Sequence, residues 1–167
     1  MKKLKILYIC DEDFDFYDAK TAHIVEIIKN LKLLGNKVAL IKPKSKNNPI
    51  PNSISLGFRS KKRYSLFNRV IYHIFLLFYL PYYILKYKAD TFYVRHNPIM
   101  IVPQIIAKVF SAPLIVEVNG TIVEQLKIAK VNSVIVHIVK NLESLGLRTS
   151  TTIITSSSEL KNYLITK

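Results

Sequence analysis

The side chains able to do chemistry in this chain stand at the ends of apolar runs. His23 falls near the start of a long amphipathic segment, where backbone N–H groups and the helix dipole favour an anion and a neutral imidazole. A neutral ring there can accept a proton or bond a hydroxyl; a half-buried structural histidine is the other reading. Arg95 closes the run DTFYVR, and a strand-end guanidinium offers a fork of donors suited to phosphate or carboxylate. Its competing reading is an ion pair with an acid such as Glu117. Glu117, Asn119 and Gly120 end the run PLIVEVNG, and Ser156 follows TTIIT. His73 and His137 lie inside apolar helical stretches, which suits packing better than chemistry.

The acidic segment DEDFDFYD admits three readings. A receiver-like phosphoryl site also needs an aspartate at the end of the third strand, and residues 31–89 contain no acid. Asp13-Phe14-Asp15 could pair two carboxylates around a divalent cation for a nucleotide-sugar, since hard cations take oxygen ligands. Three letters are a short motif, and a solvated loop balancing nearby basic charge is the simplest expectation. His23 and Glu26, three apart, lack a third ligand for a metal. The four glycines form neither GxGxxG nor GxxxxGK[ST], so the dinucleotide fingerprint and the P-loop are excluded. The single cysteine, Cys10, sits in KILYIC; it allows no internal disulfide and points to a reducing compartment and a buried small hydrophobe.

The elements that must position these residues alternate. Leu4 to Cys10 reads as a buried strand, too short an apolar run for export after MKKLK. In the helix that follows, Ile24, Ile27, Ile28, Leu31 and Leu34 recur at helical spacing, with Asp18 as its cap and Gly35-Asn36 at its end. Strands are expected at Lys37 to Lys42, Ile54 to Phe58, Asp90 to Arg95, Pro113 to Val118 and Thr151 to Thr155. Asn97-Pro98 reads as a helix start running to about Ser111. Residues 121–145 read as helix in one or two pieces, stopped by Gly146, and Ser156 to Glu159 cap a last short helix. Strands apolar on both faces between helices imply an α/β fold with a Rossmann-like, mostly parallel sheet and helices on both faces. Ligands of such sheets bind outside the carboxyl ends of the strands, near the reversal of strand order. The 167 residues suit one domain.

Charge is unevenly placed. The chain carries a formal +14; residues 1–30 hold six acids, whereas residues 31–89 hold twelve Lys or Arg. Arg59, Lys61, Lys62 and Arg63 precede LFNRVIYHIFLLFYLPYYILKY, and with Arg69 they suggest contact with an anionic membrane surface. Val70 to Leu85 gives 16 uncharged residues where spanning needs about 20. The alternatives to an interfacial helix at 66–87 are a spanning one and a helix buried in an α/β core. No nucleic-acid motif accompanies the basic run, so nucleic acid is not expected as a partner.

Five segments in order, KILYIC, AHIVEIIKNLKLLGNKVALI, ADTFYVRHNP, APLIVEVNGTIVEQL and TIITSSSELKNYL, resemble the N-terminal half of the retaining GT-B fold glycosyltransferases of the family 4, group 1 type. The resemblance covers nearly the whole chain. It implies an acceptor-side Rossmann-like domain over 1–167, with a donor-binding C-terminal domain outside these residues, whether on a longer chain or a separate subunit. It implies transfer of a sugar from a nucleotide-sugar donor to a lipid-linked or polysaccharide acceptor, with retention and with no cofactor or metal required. The nucleotide-sugar would bind mainly to the other half, leaving this chain inactive alone. His23 would be catalytic, and Arg95, Asn119, Gly120, Glu117 and Ser156 would line the acceptor and phosphate side. The expected location is cytoplasmic, peripheral at the inner face of the membrane. Two features depart from the family pattern: the loop after the first strand is acidic and lacks the usual glycine pair, and Asn119 stands where many members have histidine. An amide orients a hydroxyl but is no general base. Both departures keep open a non-catalytic membrane-associated module that pairs with a partner protein.

Overall fold

A computed structural model describes residues 3–16, 18–59, 66–97 and 100–165. The first strand, β1 (Lys5–Ile9), leads through the acidic loop into α1 (Ala19–Leu33), then β2 (Lys37–Pro43), β3 (Ile54–Leu56) and the long α2 (Leu66–Tyr87). After it come β4 (Thr91–Arg95), α3 (Val102–Val109), β5 (Leu114–Val118), α4 (Ile122–Ile128), α5 (Ser133–Arg148), β6 (Thr152–Thr155) and α6 (Ser158–Ile165). The strands form one parallel sheet in the order β3-β2-β1-β4-β5-β6. Strand order therefore reverses between β1 and β4, and the expected Rossmann-like α/β architecture is present.

Each face of the sheet has its own core. Ile6, Tyr8 and Leu40 pack with Ile24 and Ile28 of α1, whereas Leu7, Ile9, Ile41, Phe92 and Val94 pack with α2 and α3. Alternate residues of a strand serve opposite faces, which explains why these runs lack a polar side. Helix α1 starts as its sequence requires: Asp18 accepts from the Lys20 and Thr21 N–H groups, and Thr21 answers with a bond to the Asp18 N–H. Gly35 ends it at φ +86°, a left-handed conformation that glycine adopts without strain.

Helix α2 is apolar on two opposite faces. Tyr72, Leu76, Leu80 and Ile84, four apart, are buried against the sheet, and burial of each leucine contributes about 2 kcal/mol. The Tyr72 hydroxyl donates to the Cys10 carbonyl at 2.8 Å, fixing the helix to the end of β1. The other face presents Phe67, Ile74, Phe78, Tyr82 and Leu85, with Phe67 and Phe78 more than 70% exposed (71% and 72%). The 22-residue helix is long and apolar enough to cross a membrane by length and composition. In this fold, however, one of its faces belongs to the sheet core. It is thus neither the fully buried helix considered above nor one free of the domain.

Three expectations are corrected. Helix α3 begins at Val102 rather than at Asn97, with Pro103 in its first turn, where the missing N–H costs no helical bond, whereas a start at Asn97 would put that proline in the helix interior; Pro98 lies outside the described residues. Gly146 does not stop a helix but lies inside α5, where a Cβ would sit 2.9 Å from Gln104 Nε2 of α3. Glycine there permits the two helices to approach. His137 is exposed on α5, so it does not pack.

Candidate functional site

The carboxyl ends of β1, β4 and β5 hold two buried carboxylates. Glu117, in register with Arg95, has a side chain only 4% exposed. Its Oε1 lies 2.8 Å from His23 Nε2 and 4.0 Å from an Arg95 terminal nitrogen, and it accepts from the Asn119 amide. Its Oε2 accepts from the Tyr8 hydroxyl at 3.3 Å, and the Tyr93 phenol lies within reach of its charge. The Tyr8 and Tyr93 rings stack at 4.8 Å. Burial first, and the Glu117 charge second, push both phenols above their ordinary range, so both remain O–H donors. A buried carboxylate needs such a donor set.

His23 is brought to Glu117 by the capped start of α1, and 47% of its side chain stays exposed. A carboxylate facing Nε2 favours the tautomer that donates from this nitrogen, in which Nδ1 is the acceptor. A histidine oriented by a buried carboxylate is an arrangement suited to general base chemistry. Arg95 is mostly buried and donates to the Lys20 carbonyl at 3.3 Å. Of its two expected roles the ion pair with Glu117 is the one this geometry contains.

The second carboxylate, Asp11, follows β1 and is 3% exposed. It accepts from Arg69 at 3.0 Å and Asn97 at 2.9 Å. Burial raises its carboxyl above the ordinary range, opposed by the Arg69 charge. Arg69, grouped in the sequence with the membrane-facing cations, is therefore turned inward on the packed side of α2. Arg59 remains exposed, 3.3 Å from Asp15, whereas Lys61, Lys62 and Arg63 lie outside the described residues.

The acidic loop is not simply solvated. Phe14 is buried, with the Lys42 ammonium 5.3 Å from its ring centroid. Asp15 accepts from the Lys46 and Asn47 N–H groups, and Asp13 accepts from the Asp15 N–H. Slight burial raises the Asp15 carboxyl, but those N–H bonds and Arg59 outweigh it and hold it low. Both carboxylates are thus occupied in shaping the loop, and among the described residues no three His, Cys, Asp or Glu gather to hold a metal.

Asn119, Gly120 and Ser156 lie at the same sheet edge. Gly120 has room for a Cβ, with Gln125 Nε2 the nearest atom at 3.6 Å. Ser156 is exposed in the turn after β6. His96 points elsewhere, 3.6 Å from Glu143 of α5. Asp11 belongs to the strand-end positions that the fold singles out, whereas sequence reading missed Tyr8 and Tyr93 as partners of the site. Tyr8 and Tyr93 look like core residues in apolar strands; the signal was a phenol in each of two neighbouring central strands, facing Glu117 on a third.

No family model matches the chain, and no curated protein matches it. Among solved structures the crystal structure of Acinetobacter baumannii MurG is similar, with a TM-score of 0.51 and 11% identity, covering 90% of this chain and 41% of that one. The chain thus spans less than half the length of this structural neighbour. At that identity the likeness is one of fold. With its parallel sheet and reversal between β1 and β4, the chain has the Rossmann-like fold of one half of a GT-B fold.

Proposed function

We propose that the chain is the acceptor-side half of a glycosyltransferase that moves a sugar from a nucleotide-sugar to a hydroxyl of a lipid-linked or polysaccharide acceptor at the cytoplasmic membrane surface. The observation that carries this reading is the 2.8 Å contact between His23 and Glu117, placed at the carboxyl edge of the sheet beside the reversal of strand order. In this role Nδ1 of His23 accepts from the acceptor hydroxyl, and Glu117 stabilises the ring as it gains the proton. Arg95 supplies positive potential toward phosphate groups. Asn119 orients a hydroxyl, while Gly120 and Ser156 border the acceptor side. A second half, on a longer chain or a partner subunit, carries most of the nucleotide-sugar site, and no metal is required. The exposed apolar face of α2, with Arg59 near its start, rests on the membrane interface.

The test is purification of the tagged chain from its native cells with membranes retained, followed by mass spectrometry of co-purifying proteins and of the tagged species itself. A sugar-nucleotide-binding domain, on the tagged chain or a partner, is the expected result. Its absence from both, with no sugar transfer from a panel of donors, would remove the catalytic reading.

A further inference from the structure

The amino ends of the strands carry a feature that the carboxyl-edge site does not use. Lys5 and Lys37 are directly opposite one another in the register of β1 and β2. Residues in register on neighbouring strands share a face, and like charges so placed destabilise a sheet. Here they line a cavity of about 270 Å³ together with Lys86 and Tyr87 from the end of α2, over apolar walls including Leu7 and Ala39. Asp90 is the acid of this end, and its Oδ2 is engaged by the Lys5 backbone N–H at 2.8 Å. No salt bridge within 4 Å joins any of the three ammonium groups to an acid among the described residues.

The cavity is linked to the exposed stripe of α2. The Lys86 ammonium lies 5.5 Å from the Tyr82 ring centroid, and Tyr82 and the neighbouring Leu85 are both largely exposed (54% and 68%). A ligand held here by its charge would find a cavity lined by three lysines and, next to Lys86, an apolar surface for its remainder. Free inorganic phosphate uses only the first of these; a phospholipid uses both, its phosphodiester among the lysines and its acyl chains beside the stripe.

We infer that Lys5, Lys37 and Lys86 form a binding site for the headgroup phosphate of an anionic phospholipid. The inference rests on the membrane-surface reading of α2 and adds to it a defined site, at the end of the sheet opposite Glu117. Headgroup binding there would fix which way the domain lies on the bilayer, where a merely basic surface would leave its orientation free. It would also offset the repulsion between Lys5 and Lys37.

The experiment is sedimentation of the full chain with vesicles of phosphatidylcholine alone or with 30% phosphatidylglycerol. Four proteins are compared: the wild type, Lys5→Gln/Lys37→Gln/Lys86→Gln, a charge-matched control with Lys32, Lys130 and Lys140 changed to Gln, and Phe78→Gln/Leu85→Gln. The cavity variant should bind anionic vesicles about tenfold or more weakly than wild type, given the contribution of each lysine near a charged surface. The charge-matched control should lose much less. Thermal unfolding checks the fold: relief of the Lys5 and Lys37 repulsion should leave the cavity variant at or above the wild-type midpoint. Equal losses in the two lysine variants would overturn the site. If the wild type binds, the stripe variant does not, and the cavity variant binds normally, the headgroup site fails while the membrane reading stands. No wild-type preference for anionic vesicles would overturn both. Glycerol phosphate bound by the wild type in solution and lost in the cavity variant, with vesicle binding unchanged, would instead mark a site for a soluble anion and overturn the lipid assignment.

Discussion

His23 Nε2 and Glu117 Oε1 stand 2.8 Å apart although 94 positions separate them in sequence. The start of α1 supplies one and the end of β5 the other, and β4 lies between β1 and β5 in the sheet. Glu117 also gathers Tyr8, Arg95 and Asn119, so one carboxylate ties together three strands and a helix.

Removal of that carboxylate should therefore be felt in stability. Glu117→Ala leaves Tyr8, His23 and Asn119 without their acceptor and Arg95 without its counter-charge, and about 3 kcal/mol of unfolding free energy should go, as for other broken buried pairs. Glu117→Gln retains acceptor capacity and should cost about half as much. Urea unfolding of the two variants beside wild type measures both.

Arg69 and Asp11 form the second buried pair, at 3.0 Å. Arg69→Ala should destabilise by about 3 kcal/mol at pH 7 because it strands a buried carboxylate. Asp11 is already raised by burial, and loss of Arg69 raises it further. A folded state whose acid binds protons more tightly than the unfolded chain gains stability as pH falls. The deficit of Arg69→Ala relative to wild type should accordingly shrink below neutral pH, as read from unfolding midpoints between pH 7 and 5.

His73, on the packed side of α2, gives a pH dependence of opposite sign. Burial, and then the Arg69 charge, push its imidazole down from 6.5 to about 4. The unfolded chain then binds the proton first as pH falls, so the stability present above pH 6.5 is lost progressively toward pH 4. Relative to His73→Leu, wild type should lose about 2 kcal/mol between pH 7 and 5. Parallel unfolding curves for the two proteins over that range would contradict the burial of this ring.

The two faces of α2 should separate by mutation. Leu76→Ala, at a fully buried position, should cost about 2 to 5 kcal/mol. Phe78→Gln, on the exposed face, should change stability by no more than about 0.5 kcal/mol while lowering affinity for anionic vesicles. Guanidinium unfolding and vesicle sedimentation on both variants give the comparison. Sizing of the wild-type chain adds a check, because a dimer abolished by Phe78→Gln would mean that a second copy covers the stripe.

The alternation of apolar runs and amphipathic segments made the sheet legible from sequence, since strands buried on both faces have no polar alternation to confuse with helix. Asp18 was legible as a cap for a local reason: its partners lie two and three residues away. Asn97 was misread by the same local logic: the helix starts five residues later, where Pro103 falls in its first turn, and the Asn97 amide reaches Asp11, 86 positions distant. Gly146 carried the usual signature of a helix stop, yet its role is a contact with α3 that only packing creates. The candidate site was legible as a set of strand-end positions. Its centre was not, because nothing near Glu117 in sequence marks it as the residue on which Tyr8, His23 and Arg95 converge.

The most direct test of the account is sugar transfer in native membranes containing the chain, followed with labelled nucleotide-sugars, for wild type, His23→Ala and Glu117→Gln. Wild type should transfer sugar, His23→Ala should lose about 100-fold or more and Glu117→Gln should show an intermediate loss, with acceptor and donor saturation retained. Transfer by His23→Ala at the wild-type rate would contradict the proposed function, as would wild-type membranes that transfer no sugar from any donor once the second half is shown to be present.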